Sequence, residues 1–430
     1  MLALLLALQV GAADAVPARD TVPQVTLSDA LRRSARLDPD YVRALGRIDN
    51  AEWGRRAAML AFVLPSVALG LDETKYSQAF FNPADPATPT STLVVGRATA
   101  TYEVFSLRKF AELGRTRAEL ASAEAGELEQ RFQAALETES SYYDVLVNQE
   151  LDRVAGERVA RAREGLMVAR ARVSSGAAVP TDSLQLVLEL TRAQVEVLRQ
   201  QNALRTARLD LGRRVGVPGP VDAAPLDSAA APELPITLTE ALRSALEQGP
   251  QYQAAKADER AAEATLKSQR SDYLPTVSIG GLHQRYDTQI FPGAANVSSV
   301  TFSVSFPIWN DGQRELAATQ ARVDRDVARA IRQDLEGTVR RDVTRAYDGY
   351  EALRAAVELA RVGVTVARET YRMQELRYRA GAGTILDFLD AQVNLAQSEA
   401  DLVQVRYQTR LALAGLEAIL GRRLFPGGDS

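Results

Sequence analysis

Residues 378–392, YRAGAGTILDFLDAQ, predict a tight turn between two long helices. We expect Gly381 and Gly383 to end the incoming helix, because glycine adopts positive φ angles without steric cost. Thr384 is then placed to cap the outgoing helix, with Asp387 three residues further on, as in a capping box. Since residues i and i+3 share a helix face, Asp387 and Asp390 should lie side by side.

A weaker copy of this stretch occurs earlier, at residues 173–185, VSSGAAVPTDSLQ. Adding 205 to the residue number takes Gly176 to Gly381 and Asp182 to Asp387. The chain is therefore predicted to contain two helical hairpins, and its one patterned acidic site lies at the tip of the second.

The repeat extends to the whole chain. Residues 25–31, VTLSDAL, correspond to residues 236–242, ITLTEAL, and a Leu-Pro pair ends a helical pattern at Pro65 and again at Pro275. Both prolines are predicted helix-to-strand junctions, since proline ends a helix and an alternating segment follows each. We expect a first repeat over residues 16–211, a proline-rich linker or equatorial segment over residues 212–237 and a second repeat over residues 238–430.

Composition narrows the possible functions. The chain has 430 residues, a net charge of −4 with interspersed signs, one histidine (His283) and no cysteine. The charge pattern gives no sign of a nucleic-acid partner. The absence of cysteine excludes disulfides and thiolate metal sites, and a single histidine argues against a histidine-based metal site or catalytic triad. No clustered nucleophile motif accompanies the acidic residues, so we expect no enzyme, no cofactor and no metal.

The N-terminus, residues 1–15, is apolar and ends in ADA, which is typical of a secretory signal peptide. Its positively charged n-region is missing, so the true start codon stays open, and the alternative is a buried N-terminal helix. No later segment has 18 uninterrupted apolar residues, so any contact with a membrane interior must come from strands.

Four alternating segments predict strands, near residues 66–72, 93–105, 276–287 and 300–306. In the last of these, we expect Phe302, Val304 and Phe306 to face lipid while the residues between them face water, although the edge of a soluble β-sandwich shows the same alternation. Four strands cannot close a barrel, because about eight are needed, so we expect the strands to be pooled between chains. Two proline-free segments, near residues 107–173 and 312–380, predict helices about 100 Å long, which favours a helical barrel or, alternatively, a solid coiled-coil bundle.

Taken together, the pattern resembles the TolC-type outer-membrane efflux protein family (the outer membrane factors). The resemblance covers residues 26–424 and is carried by the Leu-Pro exits, the twofold repeat, YRAG at 378–381 followed by ILDFLDA at 385–391, and LGRRL at 420–424. It implies a mostly α fold with a small β part, assembled as a homotrimer. A 12-stranded transmembrane β-barrel, with four strands per chain, would lie in outer-membrane lipid and continue as a long α-helical barrel in the periplasm. It also implies docking on a periplasmic adaptor (membrane fusion) protein and an inner-membrane pump.

The resemblance also assigns site residues. The family's periplasmic aperture carries a ring of aspartates, which map onto Asp387 and Asp390, and a ring of this kind attracts cations. Tyr378, Gly383 and Asp182 are the gate candidates. Gly383 stands where some members carry a gating arginine, so the way in which this gate is locked stays open. The plainer alternative is that Asp387 only caps its helix and Asp390 only favours the helix N-terminus.

The hairpin-tip turns at Gly176 and Gly381 are the expected docking points for the adaptor. The expected function is an exit duct of a tripartite efflux or type I secretion system that exports small molecules or proteins. The alternatives are a structural periplasmic coiled-coil protein and, within the same family, a heavy-metal efflux duct. The sequence leaves the cargo, the pump, the adaptor and the resting state of the aperture unassigned.

Overall fold

The computed structural model describes residues 22–83, 85–226 and 232–425. The predicted signal peptide, residues 1–15, lies outside the described residues. Eight helices are present in the described part of the chain: α1 (Leu27–Ser34), α2 (Pro39–Leu60), α3 (Leu107–Ser174), α4 (Pro180–Arg214), α5 (Leu238–Gln248), α6 (Pro250–Ser271), α7 (Gln313–Arg379) and α8 (Ile385–Leu420). The prediction of a mostly helical fold with two very long helices is confirmed, since α3 has 68 residues and α7 has 67.

The long helix α3 is shared by several shorter ones. It packs against α2 and α6 along one part of its length and against α4 and α8 along another. Tyr41 of α2 donates its hydroxyl to Glu127 (2.7 Å), whereas Arg158, further along α3, pairs with Glu189 of α4 (2.7 Å). The prediction that two shorter helices lie one after the other beside the long helix is therefore confirmed.

The main sheet has four antiparallel strands in the order β2-β3-β5-β6. Their bounds are β2 (Ser66–Phe80), β3 (Thr90–Ser106), β5 (Thr276–Asp287) and β6 (Ala295–Ser305). Pairing between β2 and β3 continues from Ser66 to Lys75 and resumes at Phe80 after a bulge. Strand β2 is therefore twice as long as expected, because ladder hydrogen bonds continue through the charged residues Asp72, Glu73 and Lys75, where the apolar alternation stops.

The register gives this sheet two chemically different faces. We call one the apolar sheet face, which carries Val67, Leu69 and Leu71 of β2, Val277 and Ile279 of β5, and Val300, Phe302 and Val304 of β6. The polar sheet face carries Ser66, Asp72, Arg97, Thr99, Thr101, Ser278, Thr301 and Ser303. On the polar face, Arg97 forms an ion pair with Asp72 (3.2 Å). Phe302 and Val304 thus share one face as expected, while Phe306 lies just after the end of β6.

A second, two-stranded sheet joins the start of the first repeat to the segment expected to be a linker. Strand β1 (Gln24–Val25) pairs in parallel with β4 (Asp222–Ala223), which lies in the segment expected to be a linker. The hydroxyl of Tyr142, a fully buried residue of α3, donates to the carbonyl of Ala224 (2.7 Å). Helix α4 also continues to Arg214, three residues into that segment. Part of the proline-rich stretch is therefore fixed to the core rather than free.

Two helices that begin at equivalent points of the repeat are capped by threonine. Thr237 caps α5, with its backbone N–H donating to the carboxylate of Glu240 (2.9 Å) and its hydroxyl oxygen accepting from the backbone N–H of Glu240 (3.3 Å). Thr26 caps α1 by accepting from the backbone N–H of Asp29 (3.3 Å). The carboxylate of Asp29 pairs with Arg32 instead, because the aspartate side chain is one methylene shorter.

Candidate functional site

The two hairpin tips have the same turn geometry. Gly176 follows α3 with a φ of 75°, and Gly381 follows α7 with a φ of 79°. In each turn the next residue donates its backbone N–H to the carbonyl five residues earlier, from Ala177 to Arg172 and from Ala382 to Arg377, both at 2.8 Å. This is the glycine-ended helix terminus that the sequence predicts.

Gly383 plays a different part from the one predicted. Its φ angle is not in the positive region, so the expectation that it ends α7 through a left-handed conformation is wrong. A Cβ at this position would lie 3.1 Å from Cβ of Arg377 and 3.3 Å from the backbone N of Tyr378. Glycine therefore avoids a tight contact here, because the chain passes close to the end of α7.

The two aspartates of the motif lie exposed in the first turns of α8. Thr384 caps this helix as predicted: its hydroxyl oxygen accepts from the backbone N–H of Asp387 (3.2 Å) and its hydroxyl donates to the carboxylate of Asp387 (2.8 Å). Asp390 accepts from the side-chain amide of Asn394 (3.0 Å). Both carboxylates face solvent in the single chain. Asp387 therefore takes part in the cap of α8. Its carboxylate is also exposed, so it could face a pore as well.

Tyr378 is buried at the junction of the two hairpins. It is 1% exposed, and its ring stacks on Phe388 of α8 with centroids 5.4 Å apart and planes 2° from parallel. Its hydroxyl donates to the carboxylate of Asp182 on α4 (3.4 Å). Burial and the neighbouring Asp182 carboxylate both raise the pKa of Tyr378, so its hydroxyl stays protonated and remains a donor. The structure therefore brings together two gate candidates that are 196 residues apart in the chain.

Arg172 is a further contact between the hairpins, which the sequence reasoning missed. It lies on α3 and donates to the backbone carbonyl of Tyr378 on α7 and to that of Ala177 in its own turn (3.1 Å). Its guanidinium carbon also lies 4.5 Å from the centre of the Tyr378 ring, within the range of a cation–π interaction. The repeat could have indicated this residue, because adding 205 to its number gives Arg377. Arg377 donates to the backbone carbonyl of Ala382 in its own turn (3.5 Å).

An apolar cluster surrounds these contacts. We call it the tip cluster; its buried members are Leu166, Ala169, Leu186, Tyr378, Ile385 and Phe388. Gly165 of α3 is part of the same close packing, because a Cβ there would lie 2.9 Å from the Phe388 ring. Gln392, two turns further along α8 from Ile385, is fully buried, and neither atom of its side-chain amide has a hydrogen-bond partner among the described residues.

Ion pairs join the helices above the tips. Glu399 of α8, whose side chain is 10% exposed, pairs with Arg161 of α3 (3.0 Å) and with Arg368 of α7 (3.3 Å). Arg379, at the end of α7, pairs with Glu164 of α3 (2.6 Å). The second hairpin is thus bound to α3 by both apolar packing and charge.

The predicted junction prolines lie at the other end of the helices. Pro65 directly precedes β2, and Pro275 directly precedes β5. Near Pro65, the hydroxyl of Tyr102 donates to the carbonyl of Phe62 (2.6 Å), and Lys109 donates to the carbonyl of Ala61 (2.6 Å). These bonds satisfy carbonyls that the end of α2 leaves free.

Metal binding has no support in the described part of the chain, where no three histidine, aspartate or glutamate side chains converge in a way that could hold an ion.

Across residues 22–83, 85–226 and 232–425, none of the helices combines the length and the apolar character that crossing a membrane requires.

Comparison with known proteins gives one family across both halves of the chain. The family model described as outer membrane efflux protein matches residues 31–217 and 241–422. Among curated proteins, the chain is 26% identical over 286 residues to the outer membrane efflux protein BepC of Brucella suis, covering 66% of this chain and 62% of BepC. It is 27% identical over 293 residues to the cobalt-zinc-cadmium resistance protein CzcC of Cupriavidus metallidurans, covering 66% of each. These matches span less than two-thirds of either relative's own length.

A solved structure with the same fold is the outer membrane protein VceC of Vibrio cholerae. The TM-score is 0.75 at 17% sequence identity, and the superposition covers 93% of this chain and 97% of VceC. At this identity the likeness concerns the fold.

Proposed function

The chain belongs to the outer membrane efflux protein family, and on that premise we propose that it is the exit duct of a tripartite efflux or type I secretion system. In this role it would carry small molecules or proteins across the periplasm and the outer membrane, with a periplasmic adaptor and an inner-membrane pump as partners. Energy would come from the pump, since the duct itself performs no chemistry.

Family membership confirms the coarser predictions. The TolC-like fold, mostly helical with a small β part, is confirmed, as is the prediction of an outer-membrane efflux channel and not an enzyme. Membership of this family argues against the alternative of a structural periplasmic coiled-coil protein. The signal peptide, the division at residues 211 and 237, and the extension into the periplasm stay predictions.

The main support for the proposal is the strand order of the main sheet. Its four strands leave the outer edges of β2 and β6 without a partner strand among the described residues. Unpaired strand edges cannot stand in lipid, and four strands are too few to close. We propose that three chains join these edges into a twelve-stranded barrel, with the apolar sheet face toward lipid and the polar sheet face toward the lumen.

We place the aperture at the hairpin tips, at the opposite end of the helices from the sheet. Three chains would bring six carboxylates, from Asp387 and Asp390, to one narrow opening. Their exposure in the single chain supports this role, because a side chain that lines a water-filled constriction must not be buried within its own protomer. Such a ring concentrates cations and repels anions.

We propose that Tyr378, Asp182 and Arg172 hold the aperture in the arrangement seen here. Since Tyr378 and Gly383 belong to the second hairpin and Asp182 to the first, opening by movement of the second hairpin must break the Tyr378–Asp182 hydrogen bond. The place of a gating arginine at Gly383 is then taken by Arg172, which approaches from α3. The exposed turns at Gly176 and Gly381 are the proposed docking points for the adaptor.

The cargo of the proposed duct has a second candidate, a heavy-metal ion. CzcC is named as a cobalt-zinc-cadmium resistance protein, so a heavy-metal duct is a second candidate. A passive duct needs no metal ligands of its own, and the described residues offer no site that would bind such a cargo.

The proposed duct and its charged aperture can be tested together in planar lipid bilayers. We expect the purified protein to form discrete conducting channels that prefer cations, and the double variant Asp387→Asn with Asp390→Asn to lose most of that preference while still conducting. Asp401→Asn is the matched control, because Asp401 lies further along α8 in the exposed Gln397 contact. Unchanged cation preference in the double variant would contradict the aspartate assignment, and the absence of channels would contradict the duct.

A further inference from the structure

The connection between β5 and β6, residues 288–294, folds back onto the sheet. The ring of Pro292 lies against Gly96 of β3, at 3.1 Å from the position that a Cβ would take there. The carboxylate of Asp287 accepts from the backbone N–H groups of Thr288 (2.7 Å) and Gly293 (3.1 Å). Both ends of the connection are therefore held by one side chain, which gives it a defined shape over the strands.

The register shows which face of the sheet this connection covers. Gly96 pairs with Leu71 of β2, and alternation puts it on the same side as Ala98, which pairs with Leu69. Leu69 and Leu71 belong to the apolar sheet face. The connection therefore lies over the apolar face and not over the face that carries the Asp72–Arg97 ion pair.

Toward this end of the sheet, the strands themselves stop being apolar. On β5 the apolar face continues from Ile279 through Gly281 to His283 and Arg285, and on β6 the partners of the last two are Ser298 and Asn296. The apolar run from Val300 on β6 to Phe306, the residue just after this strand, spans about 20 Å. This is shorter than the apolar band of about 25 Å that membrane-spanning barrels present to lipid.

The folded-back connection supplies apolar groups at this end. Ile290 is 61% exposed and Phe291 is 89% exposed. Two adjacent large apolar side chains held in water by a fixed turn are unfavourable, because removing apolar surface from water stabilises a protein. Phe291 directly precedes Pro292, whose ring lies against the apolar sheet face at Gly96, so we infer that the two side chains extend that surface.

We propose that residues 288–294 form a membrane anchor, in which Ile290 and Phe291 lie among lipid acyl chains of the outer leaflet. This proposal rests on the proposed function, because it needs the apolar sheet face to contact lipid. The anchor lengthens the short apolar band at the end away from the helices and fixes the depth of the barrel. The occupant is lipid hydrocarbon, because the surface is apolar and continuous with the face that lipid covers.

The test is a measurement of depth with spin labels in vesicles of phosphatidylethanolamine and phosphatidylglycerol. The chain has no cysteine, so single variants such as Phe291→Cys and Ile290→Cys can each be labelled at one site. The relaxation of each spin label is then measured with oxygen, which concentrates in the hydrocarbon, and separately with a water-soluble nickel chelate. Ala87→Cys, in the exposed β2–β3 connection, is the control for water at the same end, and Phe302→Cys and Thr301→Cys report the two sheet faces.

We expect labels at 290 and 291 to have an oxygen-to-nickel accessibility ratio several times that at 87 and close to that at 302. A lipid-exposed label at 302 together with water-exposed labels at 290 and 291 would overturn the anchor and leave the proposed duct intact. Equal accessibility at 301 and 302, both in water, would overturn the proposed placement of the sheet and the anchor with it.

Discussion

The side chain of Arg172 makes three contacts, and two of them join the first hairpin tip to the second. It bonds a carbonyl of its own turn, bonds the backbone of Tyr378 on α7, and lies over the Tyr378 ring. Because the charge is delocalised over a planar group, the guanidinium can donate in its plane and face a ring at the same time. The contact depends on backbone atoms of the partner helix, so it persists even if the Tyr378 hydroxyl loses Asp182.

We expect Arg172→Ala to favour the open aperture. Loss of the charged hydrogen bond and the cation–π contact should cost about 2 kcal/mol, or roughly a thirtyfold change in the ratio of closed to open channels. Single-channel recording would show this as a higher open probability at the same voltage. Arg377→Ala is the matched control, since Arg377 bonds only its own turn in the hydrogen bonds described, and an equal effect of both variants would argue against the cross-hairpin role.

Tyr378→Phe separates the hydroxyl from the ring. The variant keeps the stacking on Phe388 and the Arg172 contact but loses the 3.4 Å hydrogen bond to Asp182. Because that bond is long, we expect a smaller increase in open probability than with Arg172→Ala, corresponding to about 1 kcal/mol. A larger increase than with Arg172→Ala would reverse our ranking of the two contacts.

Gln392 should lower the stability of the packed hairpin tips. Its amide is fully buried without partners among the described residues, and a buried unsatisfied polar group costs about 1–3 kcal/mol. We therefore expect Gln392→Met, which keeps the length of the side chain, to raise the thermal unfolding temperature measured in detergent. Gln397→Met on the exposed side of α8 serves as control, and a loss of stability specific to Gln392→Met would mean that the amide has a partner in the assembled protein.

At the scale of elements, the repeat places caps and turns where the sequence predicts them. The glycine turns at 176 and 381 and the Thr384 cap depend only on neighbours within five residues, so local sequence suffices to predict them. The extent of β2 beyond Asp72 could not be predicted in this way, because its ladder partners on β3 lie further along the chain. The pairing of β1 with β4, two residues each and about 200 positions apart, carries no local signal at all.

The capping box of α5 should protect the first turn of this helix from amide hydrogen exchange. Thr237→Ala should raise amide hydrogen exchange at the start of α5 about fivefold, because an N-cap contributes about 1 kcal/mol. Exchange measured by mass spectrometry on peptides covering residues 237–248 would show this. Thr239→Ala, within the same helix and outside the cap, should leave exchange at the start of α5 almost unchanged, and equal exchange in the Thr237→Ala variant and the parent protein would contradict the capping role.

The same box gives α5 a dependence on pH. The backbone N–H of Thr237 lowers the pKa of Glu240 below its usual value. A lowered folded-state pKa contributes stability above the unfolded-state pKa, near 4.3, and this contribution is lost as the pH falls through the lower, folded-state value. Protection of residues 237–248 should therefore decrease on acidification below about pH 4, and Glu240→Gln should remove that decrease.

At the level of the whole molecule, the proposed assembly rests on the edges of β2 and β6, which have no partner strand among the described residues. Within the described residues, the helices pack on one another in three apolar clusters. The sheet instead leaves the side chains of Val67, Leu69, Val300 and Phe302 between 66% and 82% exposed. The sequence allowed the number of strands in the main sheet and their alternation to be predicted, but not the short strands β1 and β4. The contacts of Tyr378 with Asp182 and Arg172 required the three-dimensional structure, since they join the two repeats about 200 residues apart.

If three chains pool their strands, as proposed, the mass of the protein extracted from the membrane must show it. Light scattering in detergent, with the detergent contribution subtracted, should give a protein mass close to three chains that survives mild heating. A single chain that stays in solution without detergent would contradict the account, because four strands with two open edges and an exposed apolar face would then need neither partners nor lipid.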